Sequence, residues 1–284
     1  MKTPSSEIPL IDFAPLTSAN EGVRLCTRGT LRAALENYGF IYLSAQPRRG
    51  AVAGRRCVRA VAAVFWLPPE IKNRAKPNEK GSTRGYEGVG VQALEVRRPG
   101  DLKEIFQCGS EPARTRPNAW PESLPEFRQT LLAFLDAAKA SCDQLMRAIA
   151  LSLGLPEDYF VPYHDRTDST LRLLHYPPLT GAPAPGQLRA GAHTDFGGMN
   201  LLFQDDEGGL EIQSPDGRWI AAPRGQSRRF GGQRRSLLLR SLNPDAIISC
   251  LEPCQGPDNP PKYAPISAAD HLRARAEASR RHGY

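Results

Sequence analysis

Two residues set the chemistry this 284-residue chain can attempt: His193 and Asp195, in Ala192-His193-Thr194-Asp195-Phe196-Gly197. On a β-strand, positions i and i+2 leave the same face, so an imidazole and a carboxylate would stand side by side. They make two-thirds of the 2-His-1-carboxylate set that holds non-haem Fe(II) with open coordination positions. The set needs a second histidine, and none occurs between Phe196 and Asp270. An isolated His-x-Asp also has a plainer reading, a strand-end histidine bonded to a turn aspartate. Three further residues carry polar groups near strand patterns: Arg172, which would bind an acidic substrate or cap a sheet, and His175 and Tyr176, which alternate and so face opposite ways. His164 follows Pro162-Tyr163 in a loop and reads as a surface residue.

The elements that must position these residues follow from patterning. Residues 8–13 read as a strand, 21–38 as a helix closed by Gly39, and 40–44 as a second strand. Residues 76–100 are rich in glycine and charge, with a Gly85-Tyr86-Glu87-Gly88 turn, and suggest a loop over a site mouth. The clearest helix is Ser123 to Leu153, with Ser123 and Glu126 as a capping box and Gly154 as its stop. Its apolar stripe is Leu131, Leu135, Ala138, Cys142, Leu145 and Ile149, which predicts one buried face and a scaffold role. From residue 170 short strands alternate with Gly, Pro and Asp turns, Asp216-Gly217 marking a hairpin. Helices first and strands later predict an α+β fold, a double-stranded β-helix (jelly-roll) core with N-terminal helices. The length suits one domain: an N-terminal region 1–120, a scaffold helix 123–154, and a jelly roll 166–284 interrupted at 224–240.

A resemblance sharpens the reading. His193-Thr194-Asp195-Phe196-Gly197-Gly198-Met199-Asn200-Leu201-Leu202-Phe203-Gln204-Asp205-Asp206 and Gly208-Gly209-Leu210-Glu211-Ile212-Gln213, then Asp216-Gly217-Arg218-Trp219, resemble the isopenicillin N synthase-like family of 2-oxoglutarate/Fe(II)-dependent dioxygenases. Ile8-Pro9-Leu10-Ile11-Asp12-Phe13, Tyr38-Gly39-Phe40-Ile41-Tyr42-Leu43, Asp101-Leu102-Lys103-Glu104-Ile105-Phe106 and Leu171-Arg172-Leu173-Leu174-His175-Tyr176-Pro177-Pro178 follow the same family's order. So do Pro261-Lys262-Tyr263-Ala264-Pro265-Ile266 and Asp270-His271-Leu272. The resemblance implies an oxidoreductase that uses Fe(II), dioxygen and 2-oxoglutarate as co-substrate, releases succinate and oxidises a small molecule. It implies His193 and Asp195 as metal ligands. For the co-substrate it implies an Arg-x-Ser pair, offered here by Arg234-Arg235-Ser236, and Tyr176. Counted back from Asn243-Pro244, Arg235 is the better-placed arginine. Neither His271 nor His282 sits where the family's distal histidine belongs. A family member that works without 2-oxoglutarate, and a non-catalytic remnant that binds a small acid or a partner protein, are the other readings.

The departures are local. Residues 45–60 hold five arginines and no acid, where the family carries a Gly-His-Gly-like turn; residues 224–240 hold six arginines and no acid, where the family has several more strands. A lost piece and two replaced stretches, from shifts of reading frame, account for both; another frame of the DNA over these intervals should restore family-like sequence. The net charge of +7 is local too, since without those eleven arginines it would be −4. Only Phe230 is interleaved as a stacking aromatic in these two runs, which argues against nucleic acid as a partner. The longest wholly apolar run, Ala60 to Leu67, is far too short for a membrane span. The N-terminal segment lacks an apolar signal region, and six irregularly spaced cysteines give no disulfide framework. A cytoplasmic protein with free thiols is expected.

Overall fold

The computed structural model describes residues 8–16, 18, 20–44, 60–77, 82–93, 98–111, 116–166, 169–195, 197–204, 207–222 and 233–281. The arginine-rich stretch 45–59 and residues 224–232 of the second one lie outside the described residues, as do His282 and Phe196.

The helices form where capping and apolar spacing require. Helix α1 is Phe13–Leu16. Helix α2 (Glu21–Tyr38) starts at Asn20, whose Oδ1 accepts the Val23 N–H, and stops at Gly39, which adopts φ 67° and donates to the Leu35 carbonyl. Residues 60–65 form α3, and Pro69–Arg74 form α4. Helix α5 (Pro125–Ser152) buries Leu131, Leu135, Ala138, Cys142 and Leu145 along one face, while Ile149 packs half-buried beside them. The expected Ser123–Glu126 capping box does not form: the helix begins on Pro125, with Leu124 at the cap and no side-chain bond. Proline has no N–H to satisfy and its fixed φ already suits the first turn, so it sets the start. Helix α6 spans Ala268–Arg281.

The strands β3 (Gly85–Glu87), β4 (Glu104–Gly109), β5 (Thr170–Tyr176), β6 (Met199–Gln204) and β9 (Gln233–Arg240) make one sheet in the order β3-β4-β5-β9-β6, each pair antiparallel. Strands β1 (Leu10–Asp12) and β2 (Tyr42–Ser44) pair in parallel. Strands β7 (Glu211–Gln213) and β8 (Trp219–Ala221) form the hairpin expected at Asp216-Gly217, with Gly217 at φ 84°. Strands β10 (Ile247–Ile248) and β11 (Ile266–Ser267) form a further antiparallel pair.

Two expectations are corrected here. The Gly85-Tyr86-Glu87 stretch is a strand and not a turn: Tyr86 pairs with Phe106 and buries its ring against the core. Residues 233–240 are not part of an interruption; they form the strand between β5 and β6, with Leu238 fully buried opposite Leu171. Their alternation explains it, since Ser236 and Leu238 bury on the face that α5 covers, in step with Leu171 and Leu173. Phe203 of β6 meets Phe134 of α5 edge-on at 5.0 Å on the same side. The opposite face of the sheet carries Arg172, Leu174 and Tyr176 of β5 and turns toward the site.

A buried polar cluster ties the helical side to the sheet. Glu104 of β4 accepts from Lys72 of α4 at 2.6 Å, from the Tyr86 hydroxyl at 2.6 Å and from His175 Nδ1 at 2.7 Å. His175 also stacks on Phe65 at 5.2 Å, so it faces the helices and not the site. Among the described residues Cys26, Cys108, Cys142, Cys250 and Cys254 are free thiols. No helix among them is long and apolar enough to cross a membrane.

Candidate metal centre

His193 and Asp195 are brought together, but not by a strand. Residues 191–195 have no ladder partner, and β6 starts only at Met199. Local bonds take the place of a ladder. His193 Nδ1 donates to the Gly191 carbonyl at 3.0 Å, and Asp195 Oδ2 accepts from Asn200 Nδ2. Gly198 then turns the chain into β6 at φ 44°, packed so closely that a Cβ there would lie 1.7 Å from the Arg240 carbonyl oxygen.

Those bonds orient the two donors. With its proton on Nδ1, His193 carries its lone pair on Nε2. That Nε2 stands 3.8 Å from Asp195 Oδ1, the oxygen that Asn200 leaves open, and both side chains are about half exposed. An imidazole lone pair and a carboxylate oxygen converging on one space suit a divalent transition ion. The fit covers two donors. Among the described residues no third His, Cys, Asp or Glu joins them in a group able to hold a metal.

The pair opens into a cavity of about 550 Å³. Its walls come from β5 (Arg172), the 191–200 segment, the end of β9 with Ser241 and Leu242, Ile248, and α6 through Ala268, His271, Leu272 and Arg275. Gln92, from the loop expected over the mouth, lines it too. Arg275 donates to Thr194 Oγ1 at 3.1 Å, which fastens α6 to the residue between the two donors. Arg172 donates through Nε to Gln107 Oε1 at 3.0 Å. Burial pushes its guanidinium down, and Glu87, Asp195 and Tyr176 pull the other way.

The other expected site residues divide. Tyr176 is buried beside Ile105 and Leu174, on the same face as Arg172, without reaching the cavity wall. Ser236 lies opposite Leu173 and Phe203 and is buried on the α5 side, so its assignment to the co-substrate is not supported by its position. Position 235 pairs with Leu174 and Gln204 and falls in step with Leu237 and Leu239, the last of which lines the cavity. Position 234 pairs with His175, in step with Ser236. His164, expected on the surface, is buried and bonds Ser241 O through Nδ1 at 2.8 Å; Asn243, which donates to the neighbouring Pro162 carbonyl and Asp165, closes the loop over it. Gln92 and Arg275 had no local sequence signal, because a loop and a distant helix carry them to the site; His271, not expected at the distal ligand's place, lines the same cavity, and Asn200 joins it from the start of β6.

Comparison with known proteins places this arrangement. The sequence model described as non-haem dioxygenase in morphine synthesis N-terminal matches residues 8–123, and that of the 2OG-Fe(II) oxygenase superfamily matches residues 167–230. A 2-oxoglutarate-Fe(II) type oxidoreductase, hxnY of Emericella nidulans, is 29% identical over 93% of this chain and 88% of its own length. That alignment runs over 310 positions, more than the 284 residues here, so the relative carries residues this chain lacks. The 2-oxoglutarate-dependent dioxygenase citB of Monascus ruber is 34% identical over 76% of this chain and 70% of its own. Among solved structures, a full-length Neurospora crassa protein crystallised in complex with alpha-KG superposes with a TM-score of 0.82 at 28% identity, covering 96% of each chain.

Proposed function

The chain belongs to the 2OG-Fe(II) oxygenase superfamily and is a non-haem Fe(II)- and 2-oxoglutarate-dependent oxygenase acting on a small molecule; on that premise we propose which of its residues do the work. His193 Nε2 and Asp195 Oδ1 hold the iron. The observation that carries this is the pair of supporting bonds, Gly191 O on His193 Nδ1 and Asn200 on Asp195 Oδ2, which leave one donor atom of each side chain facing the other at 3.8 Å. Bound Fe(II), with dioxygen and 2-oxoglutarate, supplies the oxidising chemistry, the co-substrate leaving as succinate and carbon dioxide.

The chain's own residues do the positioning. Thr194, held by Arg275, keeps the two donors from separating. Arg235 is the arginine for the co-substrate's distal carboxylate, on its spacing from Asn243 and its register in β9. Tyr176 is the second co-substrate candidate, from the face it shares with Arg172. The cavity volume fits a small-molecule substrate. Free thiols suit a reducing compartment, and we place the protein in the cytoplasm.

The test is succinate release from 2-oxoglutarate by the purified chain in air, with Fe(II) and ascorbate, beside His193→Ala. Succinate formed by the parent and lost in the variant is the expected result. A folded chain that releases none overturns the assignment of a working centre.

A further inference from the structure

Resting on that reading, we infer that Arg172 anchors the carboxylate of an acidic prime substrate with an apolar body, and so determines which molecules this cavity accepts. Arg172 sits on the cavity face of β5, in the wall that also holds His193 and Asp195. Its Nε is fixed by Gln107 Oε1, which sets the plane of the guanidinium. Neither terminal nitrogen has a protein partner among the described residues, and no carboxylate stands within ion-pair distance.

That sets it apart from three buried cations, Lys72, Lys103 and Arg240. Lys72 meets Glu104 at 2.6 Å, Lys103 meets Asp101 at 2.5 Å, and Arg240 meets Asp143 at 3.0 Å. A sequestered charge is costly unless paired, and here the fold supplies a carboxylate for each of those three. Arg172 keeps its fork of donors for the cavity, where a planar, bidentate acceptor completes it. The remaining wall says what the rest of the ligand is: Leu239, Leu242, Ile248 and Leu272 line the same space. An apolar body against those side chains and a carboxylate on Arg172 use both halves of the cavity.

Binding, not turnover, tests it, so the result does not depend on iron or on the metal-ligand assignment. Benzoate, phenylacetate and hexanoate, each against its own amide, are titrated by calorimetry into the parent, Arg172→Gln and Arg172→Lys. 2-Oxoglutarate is titrated in parallel, and thermal melts check folding. The parent should prefer acids to amides by at least about tenfold, since a charge-assisted bond contributes ~1.5–3 kcal/mol. Arg172→Gln should abolish that preference and leave 2-oxoglutarate affinity within about twofold, with Arg172→Lys, which keeps charge without the fork, in between. No acid preference in the parent, or a preference that survives in Arg172→Gln, overturns the inference. A loss confined to 2-oxoglutarate also overturns it, by giving Arg172 to the co-substrate.

Discussion

At the residue scale the proposed iron site rests on two donors and on what holds them. The His-x-Asp pair was legible in the sequence because its members are neighbours in the chain, and their bonds to Gly191 and Asn200 are local as well. The geometry around it was not. The strand expectation failed because the segment spends its polar groups on itself; and of the Arg-Arg doublet only Arg234 has the Arg-x-Ser spacing to Ser236, while Arg235 alternates with it and falls in step with Leu237 and Leu239. Ser236→Ala should therefore leave 2-oxoglutarate affinity within about twofold, where a residue that bonds the carboxylate would lose ~1.5–3 kcal/mol; quenching of tryptophan fluorescence by 2-oxoglutarate reads this. Asn200→Ala should weaken metal binding about 10–100-fold, the usual cost of removing an outer-shell partner. Anaerobic Co(II) titration followed by visible absorption measures it, and unchanged affinity would remove Asn200 from the support of Asp195.

At the element scale, α2, α5 and the β7–β8 hairpin were legible because their signals are periodic or local: Gly39 as a stop, an apolar stripe on α5, Asp216-Gly217 as a turn. Strand β9 was hidden by its arginines, and β3 by its glycine, since both become strands only through long-range partners. The Glu104 cluster joins α4, β3, β4 and β5 with bonds from Lys72, Tyr86 and His175. Burial pushes the Glu104 carboxyl up, but the bonds from His175, Lys72 and Tyr86 outweigh it and hold it below the ordinary range. Glu104→Leu would leave the Lys72 ammonium buried without its counter-charge and should cost about 3–5 kcal/mol in urea unfolding. His164 gives the pH dependence. Burial lowers its pKa, against the raising effect of its Ser241 bond, so the unfolded chain takes up a proton near pH ~6.5 while the native chain does not. The unfolded state then binds more protons, and stability is full above that pH and falls as pH drops below it. His164→Gln should flatten the decline in unfolding free energy between pH ~7.5 and ~5.5, in the range where an ordinary histidine titrates.

At the scale of the whole molecule, the sheet is well covered on one side and thinly on the other. Helix α5 seals one face of β5, β9 and β6, whereas among the described residues the strands that accompany the sheet in the jelly-roll half are the short β7–β8 and β10–β11 pairs, with α6 beside the cavity. Strand β6 pairs with β9 on one edge and has no strand on its other edge among the described residues. Leu202, in the middle of β6 and pointing away from α5, is 41% exposed. An open edge offers a row of unpaired amides and carbonyls to another chain, and an exposed leucine beside it adds apolar contact. Self-association that grows from micromolar to near-millimolar concentration is the expected behaviour, read by sedimentation velocity. Leu202→Lys should shift the population toward monomer, because a charged residue on an edge strand opposes strand addition, and should leave the thermal melt within a few degrees since the side chain is not in the core. A monomer at all concentrations would mean that the edge is covered, and equal association in Leu202→Lys would move the contact elsewhere. The catalytic consequence is direct, because Asn200, which steadies Asp195, lies on the same strand two residues from Leu202: association through this edge should weaken Co(II) binding as protein concentration rises, and Leu202→Lys should relieve that dependence.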